Sequence, residues 1–441
     1  MQIKSYSFSW EFITIFSGRL LNGLLLLAAT RVYSSILSDY EIGRLAIMLS
    51  YLFLFTSLIF FPIGSYINQK ILFWLDNSKW QTYLASYFMF VLILILPLST
   101  FSAIFIDYKI SLLAIFYLFG LCLNQTLIPI INIMLYRKIF VLMTLCTSIL
   151  YVWLSYLFIS QISPSAEYWL LGQSLSNIFF GVAAFFIVIY LNQSRLSFRP
   201  RFSYIKNTNN VFNFAAPLVF TSLVGWTILN FYKISASYVF GVEAIAALAL
   251  CGVLSNGIFG AVESATLQLY HADYLQKLSI SNDSITRKQA FEEFFKNVMT
   301  VLTLALVLLI LFAPYIIRLS LDERFHGFIW LLQLFFLMDY FRNLTHIVSQ
   351  FAYAEFATSV LIRGNLIASI FSILLICLSL TSSFWMLYIP LSLIGVYLIN
   401  SYLQYRRACT TYGNIYLLPK TANLIIIFIT LIFVYAISNI L

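Results

Sequence analysis

The chain has 441 residues, of which 62% are hydrophobic, 18% aromatic and only 9% charged. A soluble domain carries about 25% charged residues, so a water-soluble globule is excluded. The formal net charge is +9, but in so apolar a chain the cations must first be sorted by side of the membrane, and nucleic-acid binding is not their meaning.

In chain order, apolar runs long enough to cross about 30 Å of hydrocarbon as helices predict thirteen spans. They lie near 10–31, 44–66, 80–102, 110–135, 138–160, 168–191, 210–232, 243–267, 297–319, 327–349, 359–380, 383–403 and 421–440. The first run has no small-residue cleavage site and reads as a transmembrane helix rather than a signal peptide. With the N-terminus in the cytoplasm, seventeen of the 25 Lys and Arg residues fall in inner loops and six in outer ones. That excess on one side fixes the predicted orientation.

Two inner connections are long, Asn192–Asn209 and Gln268–Lys296; the second, with FEEFFKNV, reads as a helix along the membrane surface. Every outer loop is short, which leaves no room for the large extracytoplasmic loops of a polymerase or lipid-dependent glycosyltransferase. Cys122, Cys146, Cys251 and Cys377 sit in apolar runs and Cys409 in a basic loop, without a CxxC pair. The histidines His271, His326 and His346 are widely separated. Neither a metal site nor a cofactor is predicted, and no GxxxxGK[ST] loop is present for ATP.

The chain also echoes itself. RVYSSILSDYEIG (Arg31–Gly43) and KISASYVFGVEAI (Lys233–Ile245) align at a fixed offset, matching Arg31 with Lys233, Ser35 with Ser237 and Glu41 with Glu243. Two successive six-helix units would share one orientation. The expected organisation is an N-terminal lobe at 1–192, a cytoplasmic linker at 193–209, a C-terminal lobe at 210–404, and a basic loop with an extra helix at 405–441.

Several stretches resemble the Wzx-type O-antigen flippases, the polysaccharide-exporting branch of the multidrug/oligosaccharidyl-lipid/polysaccharide (MOP) superfamily. They are ILSDYEIGRLAI (Ile36–Ile47), the proline-led stretch Phe214–Leu250 with Pro217 and Trp226, and LSLDERFHGFIWLL (Leu319–Leu332). The match departs at Tyr232–Lys233, where the family often has Asp-Arg, at Ala246 or Ala247 in place of a glycine, and at Ser35 in place of an arginine. The resemblance implies an all-α polytopic membrane protein of 12–13 helices, MOP/MATE-like, with two six-helix lobes around a central cavity. It also implies an inner-membrane flippase for an undecaprenyl-pyrophosphate-linked oligosaccharide, with polymerase and chain-length-regulator partners, and no enzyme.

Charges inside spans are the candidate site residues, because each costs about 2.5–3.5 kcal/mol to insert at mid-membrane. Arg19, halfway along span 1, is either a pyrophosphate donor or the partner of a neighbouring helix; its planar fork suits phosphate oxygens. Asp339 and Arg342 lie three apart in span 10 and read either as a local ion pair or as a cavity-lining pair. Glu263 in span 8 is a carboxylate that either couples protons or is paired. Arg31 and Lys233, near span ends, would stand on corresponding walls of the repeat. The expected substrate-binding set is therefore Arg19, Arg31, Lys233, Asp339 and Arg342, with Glu263 for proton coupling. The principal rival is a MATE-like multidrug or metabolite cation antiporter. A glycosyltransferase or polymerase using Asp39 and Glu41 comes behind it.

Overall fold

The computed structural model describes residues 10–76, 80–105, 108–192, 208–280, 283–354, 359–413 and 415. Among them all regular structure is helical. The helices are α1 (Trp10–Ile36), α2 (Asp39–Phe55), α3 (Phe61–Asp76), α4 (Trp80–Phe105), α5 (Tyr108–Ile133), α6 (Arg137–Gln161) and α7 (Ala166–Leu191). They are followed by α8 (Thr208–Phe240), α9 (Ala246–Ile280), α10 (Ser284–Ser320), α11 (Ile329–Ala354), α12 (Ser359–Ser379) and α13 (Trp385–Tyr412). A π turn, Thr56–Phe60, joins α2 to α3 without a break. The helices cover each of the first twelve predicted spans. The predicted thirteenth span lies outside the described residues, as does most of the predicted linker.

Eight helical stretches among the described residues are long and apolar enough to cross a membrane. The chain is a multi-pass membrane protein. Contacts group it into two compact units, Met1–Leu223 and Val224–Leu441, divided within α8.

In the first unit α7 packs against α5 and α6, and α1 against α6. Lipid tails are as apolar as leucine, so helices in a membrane associate through close approach of small residues and through hydrogen bonds. The buried face of α7 is built that way, from Gly172, Ser174, Ser176, Asn177, Gly181 and Ala184. Ser155 Oγ on α6 donates to the Trp169 carbonyl at 2.8 Å, and Ser176 Oγ donates to the Thr147 carbonyl at 2.7 Å. Ser148 on α6 donates to Asn22 Oδ1 on α1 at 2.5 Å.

The start of α7 is capped from elsewhere in the chain. Ser165, at its N-cap, makes no side-chain capping bond. Glu41 Oε2 instead accepts the Ala166 amide at 2.8 Å. Arg44 ties the arrangement together, 2.5 Å from Glu167 and 3.6 Å from Glu41. A carboxylate at a helix N-terminus meets both free N–H groups and the positive end of the helix dipole. Glu41→Gln is therefore expected to destabilise the protein by about 1–2 kcal/mol, the worth of a hydrogen bond to a charged group. Thermal unfolding in detergent of the variant against wild type measures it.

In the second unit α11 is the central helix, packed against α9, α10 and α13. Phe335, Phe336, Ile347 and Ala352 on it are fully buried. The residues predicted as a long inner connection with a surface helix are instead continuations of two long helices. Helix α9 continues to Ile280, and α10 is one 37-residue helix from Ser284, capped by Asp283 accepting the Thr286 amide at 3.2 Å. The aromatic half of FEEFFKNV is used up inside the protein. Phe291, Phe294 and Phe295 are buried, and Phe294 stacks on Tyr274 of α9 at 4.7 Å. Its acidic half pairs locally: Glu293 with Lys277 at 2.5 Å, and Glu292 with Lys288 at 3.9 Å.

Candidate functional site: a polar ladder between two helices

Helix α11 carries polar residues at Asp339, Arg342, Asn343, His346 and Gln350. Counted from the first, these fall at steps three, four, seven and eleven, the spacing of one face of a helix. Helix α9, which packs against it, carries Ser255, Asn256 and Glu263. The two sets meet rung by rung.

At the first rung Asp339 is completely buried, and Arg342 stands 2.9 Å from it as an ion pair. Ser255 Oγ donates to the other Asp339 oxygen at 2.5 Å, and Arg342 also donates to Asn256 Oδ1 at 2.6 Å. The guanidinium is thus neutralised and shared between two helices, as a buried charge requires. At the second rung Glu263 meets His346 Nδ1. With its amide turned to its hydrogen-bonding orientation, Asn343 donates to both Glu263 oxygens, at 2.7 and 3.3 Å. Gln350 Nε2 lies 3.0 Å from His346 Nε2 and continues the chain of contacts, and it also reaches His271 on α9.

Tyr232 on α8 packs against both helices of the ladder. Its ring lies 6.4 Å from that of Phe335, and a side chain at Gly252 of α9 would meet its hydroxyl at 3.3 Å. The adjoining Lys233 lies within α8, seven residues before its end. Its Nζ donates to Asn230 Oδ1 at 3.3 Å and stands 5.6 Å from the Tyr232 ring centroid.

Of the six residues expected to form the site, the structure joins Glu263, Asp339 and Arg342 in one ladder. Lys233 lies one helix away in the same unit. Arg31 is half-buried on α1 in the other unit. Arg19 belongs to α1, but its side chain lies outside the described residues. The carboxylate Glu41 has the structural task of capping α7. Sequence reasoning missed His346, Asn343, Gln350, Ser255 and Asn256. The signal for the first three was present, in the helical spacing they share with Asp339 and Arg342. No group of three or more His, Cys, Asp or Glu side chains among the described residues is placed to hold a metal ion.

No family model matches this sequence, and neither does any curated protein. Solved structures do match in fold. The chain superposes on the lipid II flippase MurJ in an inward closed conformation with a TM-score of 0.69, at 14% identity, over 91% of this chain and 87% of that one. It superposes on an inward-facing multidrug resistance MATE family transporter of the MOP superfamily with a TM-score of 0.62, at 14% identity, covering 90% and 97%. The fold is MOP/MATE-like. A third MOP-fold structure, a transporter from Pyrococcus furiosus described as having reversed polarity of its binding pocket, gives 0.54 at 14% identity, covering 91% and 96%. In all three the likeness extends along nearly the whole chain.

Proposed function

We propose that this chain is a bacterial inner-membrane flippase that moves an undecaprenyl-pyrophosphate-linked oligosaccharide, such as an O-antigen repeat unit, from the cytoplasmic to the periplasmic leaflet by alternating access. The observation that carries this reading is the fold likeness to the lipid II flippase MurJ, at a TM-score of 0.69. The stretches resembling Wzx-type flippases point the same way. No bond is made or broken in this reading. The N-terminus is cytoplasmic, from the bias of Lys and Arg among the loops. A polymerase and a chain-length regulator are the expected protein partners, from the resemblance alone.

A sugar head group with two phosphates needs cations that the hydrocarbon would otherwise exclude. Arg342 is neutralised by Asp339 in this structure, so the recognition role falls to Arg19, Arg31 and Lys233. Among the described residues Lys233 has an amide and an aromatic ring for neighbours and no carboxylate within ion-pair distance. Lys233→Ala is expected to slow flipping about tenfold, the equivalent of ~1.4 kcal/mol, while Lys233→Arg keeps most of it. The test is reconstitution of the full chain into liposomes with a fluorescent undecaprenyl-pyrophosphate oligosaccharide, whose transfer is read by quenching from the outer leaflet. Wild-type vesicles that transfer no more than empty ones would overturn the reading.

A multidrug cation antiporter is the second reading. Two membrane-embedded carboxylates, Asp339 and Glu263, and the MATE likeness favour it. It predicts uptake of organic cations by the same vesicles, and no transfer of the lipid-linked sugar.

A further inference from the structure

Helices α12 and α13 pack as an antiparallel hairpin, and amides clamp it at the end predicted to face the cytoplasm. Asn400 and Gln404 on α13 both donate to Asn365 Oδ1 on α12, at 3.0 and 3.1 Å, and Gln404 also donates to Asn400 Oδ1 at 3.1 Å. Gly364 of α12 lies against the same amides, since a Cβ there would meet Asn400 Oδ1 at 3.4 Å. Towards the other end, the Ser379 and Ser392 hydroxyls are 2.8 Å apart and fix the register.

This register brings three arginines to one level. Counted from the Ser379–Ser392 pair at 1.5 Å per residue, Arg363 lies about 24 Å along α12, and Arg406 and Arg407 lie about 21 and 22 Å along α13. Arg407 continues the face of α13 that carries Asn400 and Gln404 towards α12, at steps of four and three. All three arginines are exposed, and none is paired with a carboxylate among the described residues. An excess of cations on one side is ordinary in a membrane protein, but on α9 and α10 acids meet it: Lys277 pairs with Glu293, and Lys288 with Glu292.

The depth of the cluster points to its ligand. Phe384 and Tyr388, both exposed, stand at the opposite end of α13, as aromatic residues do at a membrane interface. From Trp385, Arg406 and Arg407 are about 32 and 33 Å along the helix, just past the ~30 Å of hydrocarbon. That is the level of lipid phosphates, and the planar guanidinium fork suits phosphate oxygens better than an ammonium does. Three such groups held level without acids repel one another, and a bound anion relieves that repulsion.

We propose that Arg363, Arg406 and Arg407 form a binding site for the headgroup phosphate of an anionic phospholipid, at the membrane surface where α12 begins and α13 leaves the hydrocarbon. The amide clamp holds the two helices, and so the spacing of the arginines. The site requires only that the chain spans a membrane, and it stands whatever the chain transports.

The test is native mass spectrometry of the full chain, purified in detergent, stripped of lipid and given equal amounts of phosphatidylglycerol and phosphatidylcholine with the same acyl chains. Wild type is expected to retain several-fold more of the phosphatidylglycerol. The triple variant Arg363→Gln, Arg406→Gln, Arg407→Gln is expected to lose that preference. A control, Lys70→Gln, Lys138→Gln, Lys296→Gln, removes the same charge from other exposed positions and is expected to keep it. Size-exclusion profiles report folding, and each single arginine variant is expected to lower the preference in part, which decides the matter if the triple variant does not purify. Equal retention of the two lipids by wild type would overturn the site. So would a preference unchanged in the arginine variants, or one lost equally in the lysine control. Displacement of phosphatidylglycerol by millimolar inorganic phosphate would overturn the lipid as its occupant.

Discussion

Arg342→Ala is expected to cost about 3–5 kcal/mol, the usual penalty for breaking a buried ion pair from one side. Asp339 is completely buried, and after the substitution only the Ser255 hydroxyl at 2.5 Å remains to it. Asn256 loses its donor as well. The double variant Asp339→Asn, Arg342→Gln is expected to recover much of the loss, because two neutral groups of similar shape leave no uncompensated charge. Fluorescence-detected size exclusion after a heating series ranks the three proteins. Equal melting of Arg342→Ala and wild type would mean that Asp339 is already neutral and that the rung is not an ion pair. The comparison also separates stability from transport: a double variant that melts near wild type but moves no substrate would return Arg342 to the recognition set.

Most of the fold was legible because its signal is local. A membrane span is written in some twenty consecutive residues, and each of the first twelve predicted runs coincides with helix. The error at Gln268–Lys296 is equally instructive. Hydropathy falls there because Glu292, Glu293 and Lys296 interrupt the aromatic residues, and a composition window reads that as a separate surface helix between two spans. The helix continues regardless, since Lys277 and Lys288 meet the acids and Tyr274 receives Phe294. The site was legible only in part, for the converse reason. Asp339 and Arg342 are three apart on one helix, so their pairing can be read from spacing. Glu263 and His346 come from different helices and are brought together only by the packing of α9 on α11. A lone histidine in a span carries no mark of its partner. Likewise Glu41 looked like a free outer carboxylate, because nothing in the local sequence says that the α7 terminus lacks its own cap.

Gly172→Val is expected to destabilise the first unit by about 1–3 kcal/mol, through overpacking against a backbone that cannot give way. A Cβ at Gly172 would lie 2.4 Å from the Ser155 amide nitrogen and 2.6 Å from its Cα. Rotamer changes cannot relieve contacts with main-chain atoms, so α6 and α7 would have to separate. That movement also stretches the Ser155–Trp169 hydrogen bond at 2.8 Å, and Trp169 is held by Tyr151, whose hydroxyl accepts from its indole nitrogen at 3.1 Å. Gly225 and Gly260 provide the control, since a Cβ at either meets nothing within 4 Å. Alanine there is expected to be neutral or to stabilise slightly, because glycine is the poorer helix former by about 1 kcal/mol. Melting temperatures of the three variants in one detergent make the comparison. If Gly172→Val melts with the controls, the close approach of α6 and α7 is not what holds the first unit together. If it melts well below them, small-residue packing carries that unit much as the polar ladder ties α9 to α11 in the second.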